Sequence, residues 1–376
     1  MPHSITRITA REFDELIAFL DVAFGHDTPE RSFVHLLPAS YQPDEAHCRC
    51  NYALRVEGKL AAVVGLFPIE WHLGGETLRV AGIGGVAVGH DFRRRGLMNQ
   101  LMTHVRQEII QAGYPLSYLA GQRQRYRYFG WEVAGTQVVA DIDQTNLKHT
   151  FGDAQPAVTL DLHPDPRELQ ALQVAQFDHC RRADFAVTVR NWRCHPVAAR
   201  DRAGRLVAYA VVSGDGQRVT ELVATDAESS VQMVRAIMRG SEACSVRVLL
   251  GSTQLDAIGV LSHLAERVSV ESTGNWQIFD WPRTIGLLMR ASHALSPLPH
   301  GQVTLRADGQ VFRMTVDASG PRCESCTTPP DLALDGPTMT RLLFGPLQPP
   351  AVSSKSPSIL SAWCPLPLGL SGPDHV

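Results

Sequence analysis

The sequence contains no apolar run long enough to span a bilayer, which excludes an integral helical membrane protein. Its start, "MPHSITRITAREFDEL", lacks the apolar region of a signal peptide, so a soluble cytoplasmic chain without a membrane partner is expected. An excess of one charge is also missing. Lys and Arg number 35 and Asp and Glu 38, and a net charge of −3 argues against a nucleic-acid partner. The phosphate loops GxxxxGK[ST] and GxGxxG are absent. Eight cysteines in 376 residues do not make a disulfide framework. Cys323 and Cys326 in "PRCESC" have no further ligands at zinc spacing, and they sit among Gly, Pro and Thr where a redox pair would open a helix. That stretch reads as a loop with two free thiols. Cys48 and Cys50 beside His47 read the same way, and no metal is expected.

What is present is enough apolar residue, 44%, to fill two or three cores in a chain of this length. Residues 11–24 read as a helix with Phe13, Leu16, Ile17 and Leu20 on one face. Apolar, β-rich runs follow, broken by "EGK" and "LGGE" as hairpin turns. A helix is expected over 96–112, stopped by Gly113 with Pro115 beyond, and then a strand at 115–120. A second unit repeats strand, helix, strand. Residues 164–182 read as its first helix, "LVAYAVV", "VTELVA" and "VRVLLG" as strands, and the helix between is capped by Asp226. From about 283 come a helix, a hairpin around Asp308-Gly309, a short helix begun by Pro337, and a Pro/Ser-rich loop at 345–358. The divisions expected are 1–145, 146–282 and 283–376.

The stretch "HDFRRRGLMNQLM", 90–102, carries the main question. Leu97, Met98, Leu101, Met102, Val105 and Ile109 recur at helical spacing, with Arg93, Arg94 and Arg95 at the helix start. Cations there cost about 0.3–1 kcal/mol each against the helix dipole. An anion would reverse the sign, because free N–H groups and guanidinium donors suit phosphate and Gly96 lets backbone come close. A solvated basic turn is the other reading.

Here the stretch resembles motif A of the GCN5-related N-acetyltransferases, Q/R-x-x-G-x-G/A. Arg93 and Gly96 match. Met98 departs from Gly or Ala, a departure shared with the branch of the Enhanced intracellular survival protein, which carries "RRRGLL". "GGVAV" before it and "YRYFGW" at 126–131 are similar to the same branch. The resemblance implies an α/β (α+β) fold of two tandem acetyltransferase-like domains, the second degenerate, followed by a sterol-carrier-protein-like α/β domain. It implies acetyl-CoA as cosubstrate and a primary amine as acceptor, attacked directly in a ternary complex. Val86, Ala87 and Val88 would bind the pantetheine arm through their backbone. Arg94, Arg95, Gly96, Leu97, Met98 and Asn99 would lie along the pyrophosphate, and Gly121 and Gln122 would also touch the coenzyme. Tyr126 matches the proton donor to the thiolate, and a phenol of pKa about 10 suits a thiol near 8.5. Tyr128 competes, since strand alternation would put both on one face. The relatives also imply a homo-oligomer, trimer or hexamer, and a catalytic C-terminal carboxylate, here that of Val376. The tail "CPLPLGLSGPDHV" is apolar and proline-stiffened, unlike most termini.

The acceptor side is less defined. Asp21, Asp27, Glu30 and Glu70 are candidate acidic walls, and Phe33, His35 and Trp71 candidate apolar ones. Two rival readings stay open: an acyl-CoA or lipid carrier without turnover, and an interaction protein that keeps the fold without activity.

Overall fold

A computed structural model describes residues 4–240, 244–347, 349 and 357–376. The first three residues and most of the 345–358 stretch read above as a loop lie outside the described residues. Among those described, the strands in chain order begin β1 (Ile5–Arg7), β2 (Asn51–Val56), β3 (Lys59–Leu73), β4 (Glu76–Val88), β5 (Leu116–Leu119), β6 (Glu132–Ala134) and β7 (Gln137–Asp143). Then come β8 (Thr159–Asp161), β9 (Asp178–Cys180), β10 (His195–Arg200), β11 (Leu206–Val212), β12 (Arg218–Ala224), β13 (Ser245–Gly251), β14 (Arg267–Glu271) and β15 (Gly274–Ile278). The last four are β16 (Gly301–Ala307), β17 (Gln310–Asp317), β18 (Gly320–Ser325) and β19 (Leu332–Leu334).

These strands make three sheets in a mixed α/β fold. The first runs β1-β2-β3-β4-β5-β15-β6 with β9 added to β3, the second β14-β7-β13-β12-β11-β10-β8, and the third β18-β17-β16-β19. Three hairpins share one turn chemistry. Glu57-Gly58, Gly74-Gly75 and Asp308-Gly309 all take positive φ at both positions, which matches the right-handed twist of the flanking strands.

Each of the first two sheets contains one parallel step across a helix. The Leu97–Gln111 helix connects β4 to β5, and the Ala227–Gly240 helix connects β12 to β13. The sheets also exchange a strand. β15, which pairs β5, comes from late in the chain, whereas β7, which pairs β13, follows directly on the first unit. The divisions at 145 and 282 therefore separate the sheets except for β7, β9 and β15.

Two local expectations are corrected. The helix expected over 164–182 spans only Pro166–Val174. Asp178–Cys180 pairs instead with Trp71–Leu73, because the long β3 leaves that edge open, and pairing overrides helical periodicity. The "PRCESC" stretch is strand rather than loop as far as Ser325, since β17 offers it a partner edge.

Asp178 shows what β9 adds. Its carboxylate accepts from Trp71 Nε1 at 2.6 Å and Thr253 Oγ1 at 2.9 Å, at the edge of a cavity of about 290 Å³. Burial pushes its pKa up to about 6. A carboxyl raised in this way is most favourable when protonated, so its penalty grows as pH rises from about 4 to 6. The partial exposure of Asp178 reduces the effect to about 1–2 kcal/mol. Asp178→Asn is expected to raise the melting temperature at pH 8 and leave it little changed at pH 4. Paired thermal melts check this.

Candidate active site

The long hairpin of β3 and β4 meets β5 for only four residues, Val80–Ile83 against Leu116–Leu119. Below the end of this pairing, Ser117 Oγ donates to the Ala81 carbonyl at 2.6 Å and Trp131 Nε1 donates to Ser117 Oγ at 3.2 Å, bracing the two strands. Beyond Ile83 they part. β4 continues through Val88, still paired to β3, with its other edge unpaired among the described residues. A cleft of about 830 Å³ fills the gap. It is lined by Val86, Ala87 and Val88, by Phe92, Arg93 and Arg94, by Gly96 to Asn99, and by Arg125, Tyr128 and Phe129, with Ala23 and Phe24 at its edge.

The cleft ends at the Leu97–Gln111 helix, which buries Leu97, Leu101, Met102, Val105 and Ile109 against the sheet. Its far end closes with Gly113 at φ 68°, whose N–H reaches the Ile110 carbonyl while that of Tyr114 reaches Ile109, both at 3.1 Å. The near end has no such closure. Gly96 is the N-cap at φ 74°, and among the described residues no side chain caps the first turn. Arg94 also has positive φ, 63°. Such left-handed residues aim successive N–H groups into a shared concavity suited to an anion. At the matching helix of the second sheet, Asp226 Oδ1 accepts from Ser229 N–H at 2.7 Å, so a carboxylate already holds that place.

Among the described residues the three arginines find no neutralising partner. Arg93 approaches His90 Nε2 at 3.4 Å and Arg95 stacks over Phe92 with its Cζ 5.4 Å from the ring centre, but none of the three pairs with a carboxylate among the described residues. Arg95 does not line the cleft.

Arg125 was not legible as a site residue. It lies in the alternating run Arg123, Arg125, Arg127, where Arg123 and Arg127 both bind the buried Glu132. With its two neighbours committed to that carboxylate, Arg125 is left to line the cleft.

The strand alternation expected around Tyr126 does not occur. Arg123–Tyr126 is a helical turn followed by a 3-10 turn, because Gly121 and Gly130 take positive φ and reverse the chain at either end. Tyr126 is 8% exposed and Tyr128 80%, so the two rings point apart. Tyr126 lies on Gly121, where a Cβ would stand 2.7 Å from Cε2 of the ring. The Gly121 carbonyl is held by Asn275 Nδ2 of β15 at 3.0 Å. Gly121 and Gln122 thus seat the tyrosine turn and do not line the cleft. Burial raises the Tyr126 phenol above its ordinary value, against a smaller lowering by Arg125.

The C-terminal tail crosses all three units. Leu366 N–H donates to the Leu343 carbonyl, and the Leu368 carbonyl accepts from Thr136 N–H and Thr273 Oγ1. Asp374 accepts from the buried Arg182, at 2.8 Å to each oxygen, and Arg182 also binds Glu221. Asn191 Nδ2 holds the Pro373 carbonyl at 2.9 Å, and Trp192 Nε1 the His375 carbonyl at 3.3 Å. Trp192 itself has φ 59°, rare for an aromatic residue. The chain ends on β4. A Cβ on Gly82 would stand 2.7 Å from Val376 Cγ2, and one on Gly84 2.9 Å from the Val376 carboxyl carbon. Glycine at both positions makes room for the terminus.

Val376 packs with Phe67 and Ala87 on the side of the sheet that carries the Phe13–Phe24 helix. Tyr126 belongs to the core on the other side, with Leu97 and Leu101. Nearby, the buried Tyr41 hydroxyl has no hydrogen-bond partner among the described residues and would lie 2.4 Å from a Cβ on Gly85. The expected acidic walls divide. Asp21 is used structurally, accepting from Ser32 Oγ at 2.6 Å and Phe33 N–H at 3.0 Å, and Glu70 engages His72 and Arg181. Asp27 lies exposed beside Arg31. Among the described residues no group of three or more His, Cys, Asp or Glu is placed to hold a metal.

Residues 4–134 match the family model of the acetyltransferase (GNAT) domain. The whole chain is similar in fold to three solved structures. One is a protein from Enterococcus faecalis V583 described as "Probable N-Acyltransferase", with TM-score 0.70, 15% identity and 100% of both chains covered. Another is a GCN5-related N-acetyltransferase from Kribbella flavida, with TM-score 0.69, 18% identity, and 100% of this chain and 98% of that one covered. The third is Eis1 from Mycobacterium abscessus, with TM-score 0.67, 15% identity, and 99% and 100% covered. At these identities the likeness is one of fold. A search of curated protein sequences finds no match.

Proposed function

We propose that this chain is an acetyl-CoA-dependent N-acetyltransferase that acts on a primary amine by direct attack in a ternary complex. The observation that carries the reading is the opening between β4 and β5. Among the described residues it offers an unpaired strand edge at Val86–Val88 and leads to an uncapped helix N-terminus flanked by unneutralised arginines.

On this reading the pantetheine arm lies along Val86, Ala87 and Val88 as an added strand. The pyrophosphate accepts hydrogen bonds from the amides of Leu97, Met98 and Asn99, with the left-handed conformation of Gly96 opening the helix start to it. Arg94 and Arg125 supply charge from the cleft wall and Arg95 adds to the field from its perch on Phe92. The thioester then sits where the strands part. The amine nitrogen attacks the carbonyl carbon, a C–N bond forms and the C–S bond breaks. The thiolate takes its proton from Tyr126 Oη, protonated at neutral pH like any phenol, with burial raising its pKa further. The Val376 carboxylate accepts the proton that the amine loses. Acid and base thus act from opposite faces of the sheet, with the thioester between them. Of the trimer and the hexamer that the resemblance implies, the hexamer is proposed for the assembly, and the third sheet with its helices is proposed as the sterol-carrier-like unit.

The test is thiol release from acetyl-CoA with polyamines, aminoglycosides and lysine peptides as acceptors. Turnover with at least one class, and acetylated amine by mass spectrometry, is expected. Tight coenzyme binding without turnover on any class, together with fatty-ligand binding, would favour a carrier instead.

A second expectation concerns the terminus. Two glycines appended after Val376 displace the charge while every native side chain stays in place. If the carboxylate is the base, kcat falls about 10²-fold or more while the KM for acetyl-CoA stays within a few-fold. Unchanged kcat in the extended chain would make the tail a structural strap only.

A further inference from the structure

The second sheet ends in an open edge. β14 pairs with β7 on one side, and among the described residues nothing pairs with its other side. Four of its five residues are exposed, and Val268 and Val270 are 43% and 56% exposed on one face. An edge strand that presents unpaired backbone groups beside apolar side chains is a template for another strand unless charge, proline or a bulge blunts it. β14 has no proline and its register against β7 runs without a shift, and its two charges, Arg267 and Glu271, are of opposite sign, so they repel a partner strand only where like meets like.

The sequence of the edge says which strand fits it. β14 reads "RVSVE", which is complementary to itself when reversed. In an antiparallel pairing centred on Ser269, Arg267 of one copy faces Glu271 of the other, Val268 faces Val270, and Ser269 faces Ser269. Opposite charges and β-branched pairs at directly opposed positions are the favourable cross-strand combinations. The surroundings agree. Arg247 and Arg267 already flank Asp141 across β13, β7 and β14, at 2.8 Å on each side. Glu271 has no ion-pair partner of its own among the described residues. A second copy would extend the row to Arg247, Asp141, Arg267 and the partner's glutamate, alternating in sign throughout. On the other face, Val268 and Val270 would meet their counterparts beside Val138, at the margin of the second core.

We infer that β14 pairs with β14 of a second copy across a two-fold axis, joining two seven-stranded sheets into one. The contact is isologous, so it closes on itself and produces even-numbered assemblies.

The test is the mass of the full-length chain in solution, by light scattering and sedimentation over a range of concentration. A dimer, or a larger even-numbered assembly, is expected. Glu271→Lys sets like charges against Arg267 at two symmetric positions and is expected to weaken the association by about tenfold. Val268→Lys with Val270→Lys is expected to halve the assembly, with melting temperature held in dilute solution as the control for folding. Ser269→Cys reads register directly. Under mild oxidation it should give a cross-linked pair of chains that the wild type, with its native cysteines, does not. A monomer or a trimer at every concentration overturns the inference. So does an even assembly whose mass ignores both charge variants and in which the Ser269→Cys variant does not cross-link.

Discussion

Replacing Tyr126 with phenylalanine is expected to lower kcat by about 10²–10⁴-fold, the usual range for loss of a general acid. The KM for acetyl-CoA should stay within a few-fold, because the phenol's contribution appears only as the thiolate departs. The ring itself should remain in place, seated on Gly121 in the core. Tyr128, 80% exposed, is the internal control, and Tyr128→Phe should leave kcat near wild type. Since burial raises the Tyr126 pKa, the basic limb attributable to it should lie above the ordinary phenol value of about 10. Steady-state kinetics of both variants across pH check this. Equal rates for wild type and Tyr126→Phe would remove this tyrosine from the reaction.

The other large effect is expected at Arg182. Its guanidinium is buried between Glu221 and Asp374, so it ties the tail to the second unit by charge rather than by apolar packing. Removing one member of a buried ionic group leaves uncompensated charge and costs about 3–5 kcal/mol. Arg182→Ala should therefore lower the urea midpoint and reduce turnover even where the protein is folded, because Asp374 lies two residues before the terminus. Burial raises the Glu221 carboxyl, but Arg182 outweighs it and the net direction is down. Its stabilisation is thus present above the unfolded pKa of about 4.3 and is lost as pH falls through the lower folded value. Asp374→Asn keeps the Arg182–Glu221 pair and should cost less. If Arg182→Ala unfolds like wild type and retains full kcat, the tail is held by packing alone.

Some of this was legible in the sequence and some was not, for reasons that can be named. The hairpins were, because Gly74-Gly75 and Asp308-Gly309 carry their turn geometry in the residues themselves. The uncapped helix start was, because three arginines at a positive dipole end are a local contradiction. That Asp226 caps the corresponding helix was read correctly from the same local chemistry. The strand exchange was not, since β7 and β15 have the same periodicity whichever sheet they join. Arg125 was hidden in a run of arginines. What separates it from Arg123 and Arg127 is the buried Glu132, whose position depends on β6 and β15 pairing. The burial of the tail followed from its apolar residues. Its destination was expected only through the resemblance and not from the residues themselves, because Gly82 and Gly84, which leave room for it, stand nearly three hundred positions away.

The central claim is that an acyl-CoA binds at the start of the Leu97–Gln111 helix, and calorimetry with acetyl-CoA tests it most directly. Gly96 has open space around its missing side chain and φ 74°, so Asn, which tolerates that conformation, is the control and Glu is the probe. Wild type and Gly96→Asn should bind within a few-fold of each other, and more weakly as salt screens the arginines. Gly96→Glu places a carboxylate where the pyrophosphate would sit and should bind at least tenfold more weakly, with the same circular dichroism as wild type. A folded Gly96→Glu protein that binds acetyl-CoA as tightly as wild type, with no dependence on salt, would contradict the claim.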